Sequence, residues 1–451
     1  MPLSVARAQR ASLILWGGIV PKFYGWKLLA AYWLILFAVL GFPPYGAGVV
    51  NTWMAEQLGF DRTMLGVPYS VLMLVSGLPA PFVAMLVTRK GVRFSLIAGS
   101  LTLLAASLAM ALLVNTFWAA VLCSGVLAGA GVVLGGALPV QTSTMRWFVR
   151  RRALAFAIIL SAGGIGGVIA PPLINAVITK TGDWRSGWWL FAGLAALSAV
   201  IAALFARDQP SDLGQHPDGI DASANETLGS VNKPSARGVH QTIEAWTPRE
   251  AARSPTLWLL LFCACGMSMG YTWYLSHGIA HLQDLGHTKG VAAITASTMA
   301  ATTLLGKFAI GLLGDRIEPR FLFAASIALF GLGILLIVDA RGPVPLYAFG
   351  ICLGIGWGGG LTCLMTILAN YYGNQAYPAA VGVTLAVQPT VSSISPALGG
   401  YLYDVYGSYA PTLYTLAALC FVSALLLTRA RPPVRPRSAE AGVRVQAEVG
   451  G

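Results

Sequence analysis

Charge is scarce in this sequence, and acidic charge is missing where it would matter most. Of 451 residues only 10% are Asp, Glu, Lys or Arg, while 56% are hydrophobic and mean hydropathy is +0.70. That balance excludes a soluble domain of this length and points to a chain that crosses a bilayer many times. All 17 acidic residues fall in loops, linker, tail or span ends, and none sits in the middle of an apolar run. The six cysteines (Cys123, Cys263, Cys265, Cys352, Cys363, Cys420) have neither disulfide nor metal-ligand spacing and read as small packing residues. No cofactor motif is present: the glycine-rich run from Gly129 to Gly136 lies inside an apolar stretch, with no Lys-Ser or Lys-Thr after it. No nucleophile–base pair or metal cluster occurs at depth, so an enzyme is not expected. A cleavable leader is not expected either, because the first 25 residues are mildly basic and run straight into an apolar segment.

What is present is a string of long apolar runs. Hydropathy predicts six spans near 27–53, 63–87, 94–114, 117–145, 153–178 and 188–206, and six more near 255–281, 290–313, 321–338, 344–371, 378–403 and 411–428. The expected organisation is a tail (1–26), a six-helix bundle (27–206), a polar linker (207–254), a second bundle (255–429) and a disordered tail (430–451). The linker is rich in Asp, Ser, Asn, Pro and Gly, with a short helix predicted over 247–252, opened by Pro248.

The net charge of +12 does not indicate nucleic acid, because membrane proteins collect Lys and Arg in cytoplasmic loops. With both termini placed in the cytoplasm, 23 Lys and Arg fall inside and 5 outside, so that orientation is expected. The halves also repeat. Ala84-x-x-x-Thr88-Arg89-x-Gly91-x-Arg93 and Gly311-x-x-x-Asp315-Arg316-x-x-x-Arg320 match at an offset of 227 residues, and Pro171…Gly182 is echoed by Pro396…Gly407. Two like halves of six spans are the layout of a transporter with its site near the bilayer midplane.

Gly-x-x-x-Asp-Arg-x-x-x-Arg after the second span of a half resembles the signature of the major facilitator superfamily. The first copy departs from it at Ala84 and Thr88. Arg146-Trp-Phe-Val-Arg-Arg-Arg152, then Ala162-Gly163-Gly164-Ile-Gly166 and Pro171-Pro172, together with Phe23-Tyr-Gly-Trp26, resemble monocarboxylate and oxalate–formate carriers. The resemblance implies an all-α membrane protein of twelve transmembrane helices in two bundles. It also implies a secondary active transporter of small organic monocarboxylates of the lactate or pyruvate kind, working by alternating access through proton symport or anion exchange, with a cell inner membrane location and a monomer as the working unit. Asp315, Arg316, Arg320, Arg89 and Arg93 would then act in gating.

Lys307 lies inside the eighth span, and an intramembrane charge is by default a functional candidate. The bland alternative is a snorkelling lysine. This span runs from outside to inside, and helical side chains lean toward their own N-terminus, so Lys307 leans toward the midplane. In the resembled carriers an arginine at this place binds the substrate carboxylate, and proton-coupled members carry an aspartate one turn earlier, where this chain has Thr303. Lysine keeps the charge but loses the bidentate fork. Oxalate carriers have a second cation in the eleventh span, where this chain offers Gln388, so one cation suits one carboxylate.

Further candidates for the binding site are Tyr45, which follows a helix-breaking Pro43-Pro44 pair, Tyr274, Trp357 and Gln141. Each of these has an ordinary packing alternative. His277 and His281, four apart, could bind zinc, but no Cys, Asp or Glu completes a site. Solvated histidines at a span end are expected, with His277 kept as a possible proton handler by proton symport, against anion exchange that needs none. Competing readings are an efflux carrier for amphipathic molecules, an oxalate/formate-type antiporter, and a non-transporting sensor. The absence of a buried carboxylate for a cationic drug opposes efflux, and the short linker and tail oppose the sensor.

Overall fold

In lipid, every backbone polar group must be satisfied within its own segment, so long apolar runs become helices. The computed structural model describes residues 23–149, 151–219, 240, 242, 246–313 and 317–435, and among these no strand occurs. Six membrane-crossing segments form the first half: α1 (Gly25–Leu58), α2 (Arg62–Gly77, continuing as Ala80–Lys90), α3 (Val92–Leu113), α4 (Phe117–Trp147), α5 (Arg152–Thr181) and α6 (Arg185–Phe205). Six form the second: α7 (Pro255–Asp284), α8 (Lys289–Leu313), α9 (Pro319–Ile337), α10 (Pro343–Gly373), α11 (Gln375–Tyr406) and α12 (Ala410–Arg429). With an even number of crossings, both described ends lie on one face of the molecule, the terminal face. The opposite face is the distal face.

Two details differ from the sequence reading, and a third, in the linker, agrees with it. The second span is bent by 48° where Leu78 and Pro79 separate its two segments. The Pro43-Pro44 pair removes no helical hydrogen bond, because it opens a new segment after a π-helical turn at Phe37–Gly41. At the first turn of a helix the missing N–H has no acceptor to lose. The break brings Gly41 backbone to backbone with Gly166 of α5. In the linker, Pro248–Arg253 is helical, with Thr247 and Glu250 forming a capping box.

The repeat extends to the hydrogen bonds. Arg93 donates from Nη2 to the Ala203 carbonyl at the end of α6 (2.5 Å), and Arg320 donates to the Ala430 carbonyl just past α12, the same offset of 227. At the distal ends of α1 and α7, Phe60 N–H bonds the Ala55 carbonyl (3.1 Å) and His287 N–H bonds the Leu282 carbonyl (3.0 Å), again at that offset.

Hydrogen bonds and ion pairs between described residues of the two halves lie at mid-depth or toward the distal face. Arg62 pairs with Asp284 at 2.5 Å and Lys289 with Glu56 at 2.5 Å. The Lys289 ammonium also lies 3.4 Å from the Trp53 ring centroid. Asp404 of α11 accepts from the backbone N–H groups of Arg62 (3.2 Å) and Thr63 (2.9 Å) and from the Thr63 hydroxyl, so a residue of one half caps a helix of the other. Beneath this rim, Gly66 packs on the Pro396 carbonyl, Gly48 on the Leu275 carbonyl, and Ser70 accepts from Ala397 N–H at 2.9 Å. The distal face is closed.

Candidate functional site

Helix α8 approaches two partners, and the glycines of α10 decide how close. Gly354 lies against Met299 and Thr302, and Gly358 against the Thr303 carbonyl, where any side chain would collide. On its other flank α8 meets α5: Ser297 donates to the Val168 carbonyl (2.7 Å) and Leu304 packs on Gly164. At about 100° per residue, Lys307 projects about 40° from Thr303 and about 60° from Leu304. It therefore points into the wedge between α10 of its own half and α5 of the other. Leu305 and Phe308, 60% and 67% exposed, cover the lipid side. Lys307 is half-buried, and its ammonium has no hydrogen-bond or ion-pair partner among the described residues. A snorkelling lysine would occupy the lipid-facing stripe, and Lys307 does not.

Beside this wedge the halves meet through aromatic rings. The Tyr271 hydroxyl bonds the Tyr45 hydroxyl at 2.8 Å, joining α7 to α1. Tyr271 also lies flat on Trp357 of α10, with centroids 3.9 Å apart and planes 5° from parallel. Tyr45 itself packs on Gly167 of α5. Tyr45, Tyr271 and Trp357 all remain partly exposed, and Trp357 is one residue from Gly358, which abuts the Lys307 backbone. Tyr69 of α2 and Tyr274 of α7, 3% and 2% exposed, have hydroxyls with no partner among the described residues, and each lies one turn on the terminal side of the contact between Gly66 and His277.

The remaining candidates are more dispersed. Gln388 is buried and donates to the Ala264 carbonyl of α7 through a long bond of 3.4 Å, so in this state its amide is directed within its own half. Gln141 is half-buried in α4. Arg89 ends α2 at the terminal face, beside Lys90. Arg93 and Arg320 make the within-half bonds already described. Asp315 and Arg316 lie outside the described residues. Thr88 bonds the Ala84 carbonyl (2.9 Å), and Asp208, after α6, accepts from Val92 and Arg93 N–H to cap α3. Gly91, at φ +89°, makes room for that carboxylate.

The histidines correct the sequence-based expectation of solvation. His277 is 0% and His281 6% exposed. His277 Nε2–H donates to the Pro396 carbonyl (2.8 Å), and Nδ1 is paired with the Tyr409 hydroxyl (3.1 Å), so both ring nitrogens are engaged. His281 Nε2 bonds the Ile337 carbonyl at 2.9 Å. A span end by hydropathy is not a surface here, because α9, α11 and α12 cover it. His277 also meets the other half: a Cβ on Gly66 would stand 2.8 Å from its Nε2.

Residues 33–283 and 272–448 match the Major Facilitator Superfamily. The chain belongs to that superfamily. Monocarboxylate transporter 1 of Bos taurus is 24% identical over 400 residues, covering 84% of this chain and 78% of that one. Monocarboxylate transporter 12 of Rattus norvegicus is 26% identical over 327 residues, with 67% of this chain and 64% of that protein covered. Multidrug resistance protein MdtG of Enterobacter lignolyticus (strain SCF1) is 23% identical over 362 residues, covering 79% and 80%. Among solved structures, a point mutant of the nucleoside transporter NupG has a TM-score of 0.67 at 16% identity, covering 89% of this chain and 99% of that one. A bacterial homologue of the human lysosomal transporter Spinster, inward-facing and occupied, scores 0.67 at 16% identity over 92% and 99%. At such identities these likenesses establish the superfamily fold. The protein is a multi-pass membrane transporter of that superfamily, not an enzyme, and resembles its monocarboxylate transporters.

Sequence reasoning missed the distal rim. Arg62 and Lys289 counted only as topological charges, although Glu56, Asp284 and Asp404 stand at the ends of neighbouring distal loops with opposite sign. It also passed over Tyr69, because one tyrosine in an apolar helix carries no pattern.

Proposed function

We propose that this chain is a secondary carrier of small organic monocarboxylates, of the lactate or pyruvate kind, working by alternating access in a cell inner membrane. One observation carries the reading. Among the described residues, Lys307 is the one charged side chain in the interior of a span, it points between the halves, and nothing pairs with it. An unpaired ammonium at that depth is expensive, and a carboxylate is its natural counter-charge. One cation suits one carboxylate, and Gln388 adds no second charge, which disfavours a dicarboxylate such as oxalate. The names of the similar monocarboxylate transporters agree with an anionic substrate.

The terminal face is taken as cytoplasmic from the Lys and Arg distribution, so the closed distal face makes this the inward-facing state. With both ring nitrogens of His277 bonded to other groups of the protein in this state, no nitrogen faces the substrate pathway to relay a proton, which favours anion exchange or a proton carried on the substrate.

The test is Lys307→Gln in reconstituted vesicles with labelled acids. Removing a charge-assisted bond of about 1.5–3 kcal/mol lowers affinity by roughly 10–100-fold. Thermal stability without ligand holds or rises, because an unpaired charge has gone. Lys307→Arg retains part of the activity. Undiminished acid transport by folded Lys307→Gln would overturn this reading, and export of amphipathic cations by the same variant would replace it with an efflux carrier.

A further inference from the structure

The aromatic seam beside Lys307 says more about the substrate than that it is an anion. Tyr45 of α1, Tyr271 of α7 and Trp357 of α10 meet at mid-depth, where the two halves join, and Tyr69 of α2 and Tyr274 of α7 lie toward the distal side of them. Tyr45 and Tyr271 satisfy each other, and Tyr271 lies flat on Trp357. These three stay partly exposed, on the side of the junction where Gly358 brings α10 against Lys307. A flat aromatic wall of this kind favours a planar ring over a short aliphatic chain, because stacked rings gain beyond the area they bury.

The hydroxyls of Tyr69 and Tyr274 add an independent observation. Both tyrosines are more than nine-tenths buried, both hydroxyls lack a partner among the described residues, and each lies one turn on the terminal side of the Gly66–His277 contact, Tyr274 also being one turn from Tyr271 on α7. Buried phenol hydroxyls are normally hydrogen-bonded, so two unpaired ones in one cluster point to a ligand atom that completes them. Each can donate or accept, so a neutral hydroxyl or carbonyl on the ligand completes both without burying a second charge.

We infer that the carrier's preferred substrate is an aryl monocarboxylate with a neutral polar ring substituent, of the hydroxyphenyl-acid class. Its carboxylate meets Lys307, its ring lies along Tyr271 and Trp357, and its substituent meets Tyr69 and Tyr274. This rests on the carrier reading given above and narrows it.

The test is a competition series in the purified, full-length protein, following displacement of one labelled acid by 4-hydroxyphenylacetate, phenylacetate, acetate and lactate. Affinity falls in the order hydroxyphenylacetate, phenylacetate, then the two aliphatic acids. The ring is worth roughly 3–10-fold or more over an aliphatic acid. Trp357→Leu collapses that ratio toward one, while Trp357→Phe, which keeps a ring and packs more like the parent, restores much of it. Tyr69→Phe and Tyr274→Phe, each lacking only the hydroxyl, remove the preference for hydroxyphenylacetate over phenylacetate and leave the ring preference. Lactate binding tighter than either aryl acid, with a ratio that Trp357→Leu does not move, overturns the inference and leaves the monocarboxylate reading standing. Binding of none of the four acids, or binding indifferent to Lys307→Gln, overturns the reading beneath it.

Discussion

Gly66 is the residue on which distal closure turns most directly. It lies where α2 of one half presses on the His277–Pro396 hydrogen bond of the other, and there is no room there for a methyl group. Gly66→Ala should therefore wedge the distal face apart without touching the substrate site. A cysteine introduced at Thr52, in the distal recess, becomes more reactive to an impermeant thiol reagent in that background, and the transport rate falls. Unchanged reactivity would remove Gly66 from the closure. At this scale the sequence was informative only where chemistry was conspicuous. Lys307 stood out because a charge in an apolar run is rare. Tyr69 did not, because aromatic residues are ordinary in membrane helices, and the pairing of Tyr271 with Tyr45 and Trp357 depends on how α1, α7 and α10 meet. The histidines were misjudged for the same reason: Tyr409, more than a hundred residues away, is what buries His277.

Helix α2 begins under the control of the other half. Asp404 supplies part of the cap that an isolated helix takes from its own chain, and Asp61 supplies the local part by accepting from Met64 N–H at 2.7 Å. Losing a cap costs about 0.5–2 kcal/mol. Here the loss falls only on the closed state, so Asp404→Ala shifts the balance toward distal opening by roughly 2–30-fold. Spin-label distances across the distal face would report it, and an unaltered distribution would count against the cap as a gate. Arg320→Gln is the contrasting variant. Its guanidinium ties α9 to the end of α12 within one half, so the expected effect is a lower melting temperature with an unaltered distance distribution. The sequence placed the helices well because a bilayer leaves few alternatives to a helix. It did not show the bend in α2 or the π-turn in α1, since both depend on what each helix packs against.

The whole molecule is two copies of one plan, and the 227-residue offset legible in the sequence reappears in paired arginine–carbonyl bonds and in paired helix ends. What the offset could not convey is how the copies face each other, because that depends on side chains that differ between them. The orientation in the membrane is open to a direct experiment. Ser211 and Ser408 are exposed on the terminal and distal faces respectively. Cysteines at these positions should label in opposite preparations, Ser211→Cys in inverted vesicles and Ser408→Cys in intact cells, and the reverse pattern would turn the protein over. The distal closure has a further consequence. Its rim is made of partly exposed ion pairs, while the layer beneath is made of main-chain contacts at Gly66, Gly48 and Ser70. Mobile ions screen the first over a Debye length of about 8 Å at physiological salt and barely reach the second. Ionic strength thus becomes a handle on turnover with a built-in ceiling: added salt loosens the rim and quickens opening, then reaches a plateau set by the uncharged sill below.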